Sequence, residues 1–269
     1  PFNGKKDLKN GEIKFIGNVE KRIKEDYLRI LRYIRFFLNY SKKKHNVKVT
    51  RIIKKNLQGF SKISPERLLD EFKKLVRSKG FLKLTKDKFC FEIINLIFPQ
   101  FKNLSIFGNL NSFAKDNIEN IDFIFLISLM IIDGSDNVDY FIYKFNISKK
   151  DQKRLLLLNN FFSNKINNKT FSKNNLQKIL YFNEKQSLLD LINFQIFKSK
   201  KVDKKLLGMI EFFKDKEPPL LPVRAITLMN KYNIPEGKKL GIVLKKIENK
   251  WLDNNFQISE KEIQKLIKN

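Results

Sequence analysis

The chain of 269 residues carries 55 Lys and Arg against 28 Asp and Glu, a formal net charge of +27 that attracts polyanions. Its length allows one large domain or two small ones around a substantial core. A single cysteine, Cys90, excludes an intramolecular disulfide and a cysteine metal cluster, and a single histidine, His45, argues against a histidine-built metal site or a Ser-His triad.

The charge is uneven. Residues 1–60 hold 17 Lys and Arg against 5 Asp and Glu, a net of +12. An AT-rich genome accounts for Lys over Arg but not for so few acids, so the excess reads as phosphate binding rather than a merely cationic surface.

In chain order, Ile13-Lys14-Phe15-Ile16 reads as at most a short strand remnant. Residues 20–36 then read as one amphipathic helix, with Ile23, Tyr27, Ile30, Ile34 and Phe37 recurring at spacings of four and three to form a buried stripe. His45 follows in a lysine-flanked loop. Ser64 is a good N-cap with Pro65 at the first helical position, Leu68, Phe72, Leu75 and Val76 face inward, and Gly80 is expected to end that helix as its C′ residue. Lys86 to Phe98 reads as a helix stopped by Pro99, with Cys90 as a small core residue between Phe89 and Phe91. A hydrophobic helix over 118–132 ends at Asp133-Gly134; its most apolar run, 121–132, carries Asp122 and is too short to span a bilayer.

Further helices are expected over 151–162 behind Ser148, then 172–182, 184–198 and 203–214. Pro218, Pro219 and Pro222 make 216–223 a boundary, after which two helices cover 236–255 and 259–268. The 26 phenylalanines sit mostly at core-compatible positions, which favours packing over base-stacking platforms; Phe60 reads either way. With few prolines and glycines and no alternating strands, the expectation is an all-α chain.

Asp26 and Arg29 lie at i and i+3, which makes them helical neighbours off the buried stripe. An acceptor beside a donor fork matches the Watson–Crick edges of cytosine and adenine, each with an amino donor next to a ring-nitrogen acceptor, whereas guanine and uracil show the reverse order. The plain alternative is a solvated ion pair worth roughly 0.2–0.5 kcal/mol. Arg22, Arg29, Arg32 and Arg35 add guanidinium forks that either pair with Glu20, Glu25 and Asp26 or hold phosphate.

Three runs carry a resemblance: Pro1-Phe2-Asn3-Gly4-Lys5-Lys6-Asp7-Leu8, Ile13-Lys14-Phe15-Ile16-Gly17, and Arg22 through Arg32 with its Glu25-Asp26-x-x-Arg29. Together with Ser64-Pro65-Glu66-Arg67-Leu68 and Pro235-Glu236-Gly237-Lys238-Lys239-Leu240-Gly241, in this order, they resemble the bacterial tRNA nucleotidyltransferase (CCA-adding) and poly(A) polymerase family. The departures are Asn18-Val19 where the family has Asp-Pro, Lys14 where it has Arg, and Val223-Arg224-Ala225 where it has Gly-Arg-Asp.

The resemblance implies an elongated all-α neck, body and tail: 1–18 as the remnant of a head–neck connection, 19–80 as neck, 81–217 as body and 218–269 as tail. It implies that Asp26 and Arg29 select CTP or ATP, with Glu25 and Arg32 orienting them, and that Glu66 and Arg67 brace the neck. Arg22, Arg35, Gly237 and Gly241 are candidate RNA contacts, the glycines equally being candidates for a tight turn and close helix packing.

The family's metal carboxylates lie in an upstream head. The chain starts with Pro inside a motif, so it is read as lacking that head, with Mg2+ bound there and no metal site or catalytic residue in this chain. The expected partners are the tRNA acceptor arm, CTP, ATP and the head, in the cytoplasm and without a membrane. Alternatives are a poly(A), CC-only or A-only enzyme, or a basic RNA-binding module without chemistry.

Overall fold

The computed structural model describes residues 4–164, 166 and 169–268. The opening Pro1-Phe2-Asn3 of the first motif lies outside the described residues. The chain is all-α: α1 (Gly4–Asn10), α2 (Val19–Glu25), α3 (Leu28–Tyr40), α4 (Val47–Lys55), α5 (Pro65–Val76), α6 (Lys88–Ile97), α7 (Ser112–Asn117), α8 (Phe123–Ile131), α9 (Asn137–Lys144) and α10 (Lys149–Ser163) come first. Then follow α11 (Lys173–Phe182), α12 (Lys185–Lys198), α13 (Lys204–Lys214), α14 (Ala225–Tyr232), α15 (Lys238–Asp253) and α16 (Glu260–Lys268). No strand occurs among the described residues; residues 13–16 run as irregular chain, because a strand needs a ladder partner and none lies beside it.

Caps explain most boundaries. Side chains of Asn18, Asn46, Ser64, Asp87, Asp122, Ser148 and Ser172 each accept a backbone N–H in the first turn of the following helix. Asp122 therefore splits the expected 118–132 helix into a short 3-10 turn (Ile118–Asn120) and α8. The helix α14, which follows the 216–223 boundary in a stretch where the sequence predicts no helix, ends on Asn233 in the left-handed region at φ 51°.

The chain divides into two compact units, Pro1–Lys165 with Asn193–Asp203, and Ile166–Ile192 with Lys204–Asn269. In the first, α3 packs on α5. Its centre is aromatic: Phe98 and Phe101 stack with centroids 4.7 Å apart, and Phe72 lies 4.7 and 4.8 Å from the two. Phe60 is buried as well. In the second, Leu228, Leu240, Val243, Ile247 and Ile263 form a core shared by α14, α15 and α16. Trp251 packs edge-on against Tyr181 there, and the Tyr181 hydroxyl donates to Glu248 at 2.7 Å.

Gly80 does not cap α5. The cap is Arg77, and Gly80 sits at φ −78° with its N–H donating to Asn39 Oδ1 at 2.9 Å. Glycine is required by proximity instead: a Cβ at residue 80 would lie 2.5 Å from the carbonyl carbon and oxygen of Leu38. Backbone cannot yield as a side-chain tip can. Gly80→Ala should therefore destabilise the chain by about 2–3 kcal/mol through overpacking. Urea denaturation measures it, and a change within about 0.5 kcal/mol would show that α3 and the 78–81 turn can separate freely.

Candidate functional site

The region read as one helix over 20–36 is two. Asp26 adopts φ −155° and ψ 105° between α2 and α3, and its Oδ1 accepts the Leu28 N–H at 3.2 Å. That is an Asx turn: a short carboxylate offers the backbone a partner that competes with the helix. The break is seated by Tyr27, whose ring lies over Gly59; a Cβ at residue 59 would stand 1.9 Å from Tyr27 Cε1. The buried stripe survives the break, with Ile23, Ile30 and Ile34 fully buried and Tyr27 and Phe37 half-buried.

Asp26 and Arg29 are consequently not each other's partners. Arg29 Nη2 lies 3.2 Å from Glu25 Oε2, the oxygen that also takes Arg22 Nη1 at 2.7 Å. Asp26 stands between Arg32, 3.3 Å from Oδ2, and Arg67, 3.6 Å from Oδ1. Glu25 thus pairs with the residue assigned to base reading, and Arg32 with the other. Arg67 reaches Asp26 from α5, while Glu66 next to it is exposed.

Sequence reasoning missed Glu71. Its side chain is 4% exposed and accepts from Arg35 Nη2 at 3.0 Å and Arg32 Nε at 3.4 Å, with Lys74 Nζ at 3.6 Å. This carboxylate, on α5, anchors two arginines of α3. A signal was present: Glu71 falls three residues after Leu68 and four before Leu75, on the apolar stripe, where an unpaired acid would be costly.

Beside Arg29 and Arg32 lies a cavity of about 210 Å³. Ile13, Phe15, Ile16, Tyr33 and Phe36 form its apolar wall, and Lys14, Arg29 and Arg32 its polar one. Phe15 stacks on Tyr33 with centroids 5.5 Å apart, so the irregular 13–16 segment closes the cavity against α3. Lys14 is held by Asp7 and Glu12 at 3.2 and 3.1 Å. The arrangement can receive a flat apolar ring with acceptor groups or an anion at its rim.

Glu25, Asp26 and Glu71 are each occupied by guanidinium groups, a setting suited to anions around the arginines and not to a magnesium ion on the carboxylates. The site residues present do not fit Mg2+.

Tyr33 also borders a second cluster. Its hydroxyl lies 3.0 Å from His45 Nδ1, and His45 Nε2 lies 3.1 and 3.0 Å from the two Asp87 oxygens. Cys90 Sγ is 3.7 Å from the same Nε2. Burial, with the electrostatic influence of the nearby Cys90 and Asp87 adding to it, pushes the Tyr33 phenol above its usual range. Burial raises the Cys90 thiol too, helped by Asp87. Burial would also raise Asp87, but hydrogen bonds from His45 and the Cys90 N–H outweigh it and hold the carboxyl low.

The other candidates lie apart in the sequence. Gly237 has φ +138°, which only glycine adopts readily, so the turn before α15 explains it. At Gly241 a Cβ would meet nothing within 4 Å, so close packing does not account for that glycine. Among the described residues no helix is long and apolar enough to cross a membrane.

No protein-family model matches the chain. Human mitochondrial CCA tRNA nucleotidyltransferase 1 is 44% identical over 77 residues, 28% of this chain and 18% of that protein. Its mouse counterpart is 27% identical over a 290-residue alignment covering 99% of this chain and 61% of the relative. The CCA-adding enzyme of Lactobacillus helveticus is 45% identical over 76 residues, 28% of this chain and 18% of that enzyme.

The fold is shared with the Bacillus stearothermophilus CCA-adding enzyme in complex with CTP, at TM-score 0.67 and 16% identity over 100% of this chain and 68% of that one. It is shared too with the Thermotoga maritima CCA-adding enzyme complexed with tRNA, at TM-score 0.60 and 19% identity over 99% and 66%. The chain spans less than two thirds of the length of the curated relatives it matches. By sequence and by fold, then, this chain resembles the CCA tRNA nucleotidyltransferases, the CCA-adding enzymes of bacteria and mitochondria.

Proposed function

We propose that the chain is the neck, body and tail of a CCA tRNA nucleotidyltransferase, which adds CMP and AMP to tRNA 3′ ends. The observation that carries this reading is the alignment of 99% of this chain to the mouse enzyme, with Arg29 of the Glu-Asp-x-x-Arg run lining a cavity and Asp26, at the helix break, paired to Arg32 on the same wall. Residues 19–80 would select the nucleotide, and 81–217 and 218–269 would hold RNA. A head domain outside this chain would supply magnesium and the phosphoryl-transfer chemistry, and this chain without it would be inactive. The proposed setting is the cytoplasm.

In this reading Asp26 accepts from the exocyclic amino group of cytosine or adenine, and Arg29 donates to the ring nitrogen or carbonyl. Base binding exchanges partners: the base amino group replaces Arg32 or Arg67 on Asp26, and the base acceptor replaces Glu25 on Arg29. Glu25 holds Arg29 until then, and Glu71 keeps Arg32 and Arg35 forward. GTP and UTP would present like groups at both contacts and leave buried polar groups unpaired, which is a steep penalty. Arg22, Arg32 and Arg35 are assigned to triphosphate or primer phosphates, and the Gly237 N–H to a tRNA phosphate; the Gly241 N–H is already donated to the Gly237 carbonyl at 3.3 Å and drops out as a phosphate contact.

Two measurements test this. With a head supplied, a tRNA lacking its 3′ terminus should gain CCA; a long A tract would identify a poly(A) polymerase instead, and CC or A alone a partial enzyme. Binding of tRNA to the 269-residue chain should weaken by about 10³-fold between about 50 and 200 mM salt if some six phosphates are contacted. A flat salt response would overturn the electrostatic grip.

A further inference from the structure

The cluster beside the nucleotide cavity has a use that the proposed reaction does not need. His45 Nε2, the Asp87 carboxylate and Cys90 Sγ come from a loop, a helix cap and the first turn of α6, and their ligand atoms lie within 4.8 Å of one another. Hydrogen bonds from His45 Nε2 and the Cys90 N–H to Asp87 use part of this convergence, and the Cys90 sulfur in addition lies 3.7 Å from the same nitrogen.

Both separations from the imidazole nitrogen suit a metal ion. A tetrahedral zinc with ligands at its usual bond lengths sets nitrogen and sulfur about 3.6 Å apart and nitrogen and oxygen about 3.3 Å apart. The corresponding distances here are 3.7 Å and 3.0–3.1 Å. The outer partner of the histidine is in place as well: metal-bound imidazoles usually donate their other N–H to an oxygen, and Tyr33 Oη stands 3.0 Å from Nδ1. Phe37 stacks on the imidazole at 3.5 Å between centroids and Phe89 lies at 4.7 Å, which fixes the ring plane. Cys90 is fully buried, while His45 and Asp87 side chains are 14% and 22% exposed and give a path inward.

We propose that His45, Asp87 and Cys90 bind one divalent ion of the zinc class through Nε2, a carboxylate oxygen and a thiolate, with the fourth position left to water. Binding releases the thiol proton to solvent. The imidazole binds the ion through an unprotonated Nε2 and keeps one proton on Nδ1, donated to Tyr33 Oη, any other ring proton passing to solvent. A soft thiolate with an imidazole and one carboxylate selects zinc or cobalt over magnesium or calcium. The ion would tie the lysine-rich loop carrying His45 to α6 and, through Tyr33, to the helix that lines the nucleotide cavity. It does not depend on the nucleotide reading.

The composition makes the test self-assigning, because Cys90 and His45 are the only residues of their kinds. Co2+ alone is added to the intact, metal-stripped 269-residue chain. A thiolate-to-cobalt charge-transfer band in the near ultraviolet, saturating at one equivalent and bleached by Zn2+, is expected, and it can arise only from Cys90. Zn2+ should also slow alkylation of that thiol and raise the melting temperature of the native chain. Tyr33→Phe should keep the band and weaken Co2+ binding by about tenfold. The absence of a band at modest excess of Co2+, or alkylation unaffected by Zn2+, overturns the site, and both readouts use the unmutated protein.

Discussion

Glu71→Gln is expected to lower stability by about 3 kcal/mol, at the low end for breaking a buried ion pair. The carboxylate is 4% exposed, and its amide replacement would leave two guanidinium groups facing a neutral, partly donating side chain. Arg32 can turn toward water, being 41% exposed, but Arg35 is 23% exposed and its Nε is already buried without an acceptor. The loss should therefore fall mainly on Arg35. Equilibrium denaturation gives the number, with Asp70→Asn as the surface control at under about 0.5 kcal/mol. Equal stabilities for the two variants would show that α3 and α5 are held by their apolar contacts alone.

With a head domain supplied, Asp26→Ala is expected to cut CMP and AMP incorporation by on the order of 10- to 100-fold, the value of a bidentate base contact. Binding of tRNA should stay near normal. The substitution removes two things at once, the proposed base acceptor and the Asx turn that breaks the helix. Asp26→Asn separates them: its amide oxygen can still accept the Leu28 N–H, while its charge toward Arg32 and Arg67 is gone. If Asp26→Asn incorporates normally, base selection does not rest on the Asp26 carboxylate. If tRNA binding collapses along with incorporation in the alanine variant, its role is to shape the neck.

The legible and illegible parts of the site differ in a consistent way. Asp26, Arg29 and Arg32 were visible because a charge pattern on a short segment survives without knowledge of the rest of the chain. Their pairing was not. Asp26 lies inside an unbroken apolar period that reads as one helix, and the competing turn to Leu28 became apparent only in three dimensions. Once the helix broke, Asp26 met Arg32 and Arg67 rather than Arg29.

Gly80 shows the same limit: its presence was noted, but its reason lies in the carbonyl of Leu38, 42 residues earlier. Apolar period, capping residues and charge balance determined on their own that the chain is helical, where most helices start and that it is strongly cationic, because these depend on neighbours within a turn or on a sum over all residues. Tertiary structure decided which acid meets which arginine, that Glu71 anchors α3, and that His45, Asp87 and Cys90 share one point. Such meetings depend on the path of the backbone between distant residues, and local spacing carries no record of that path.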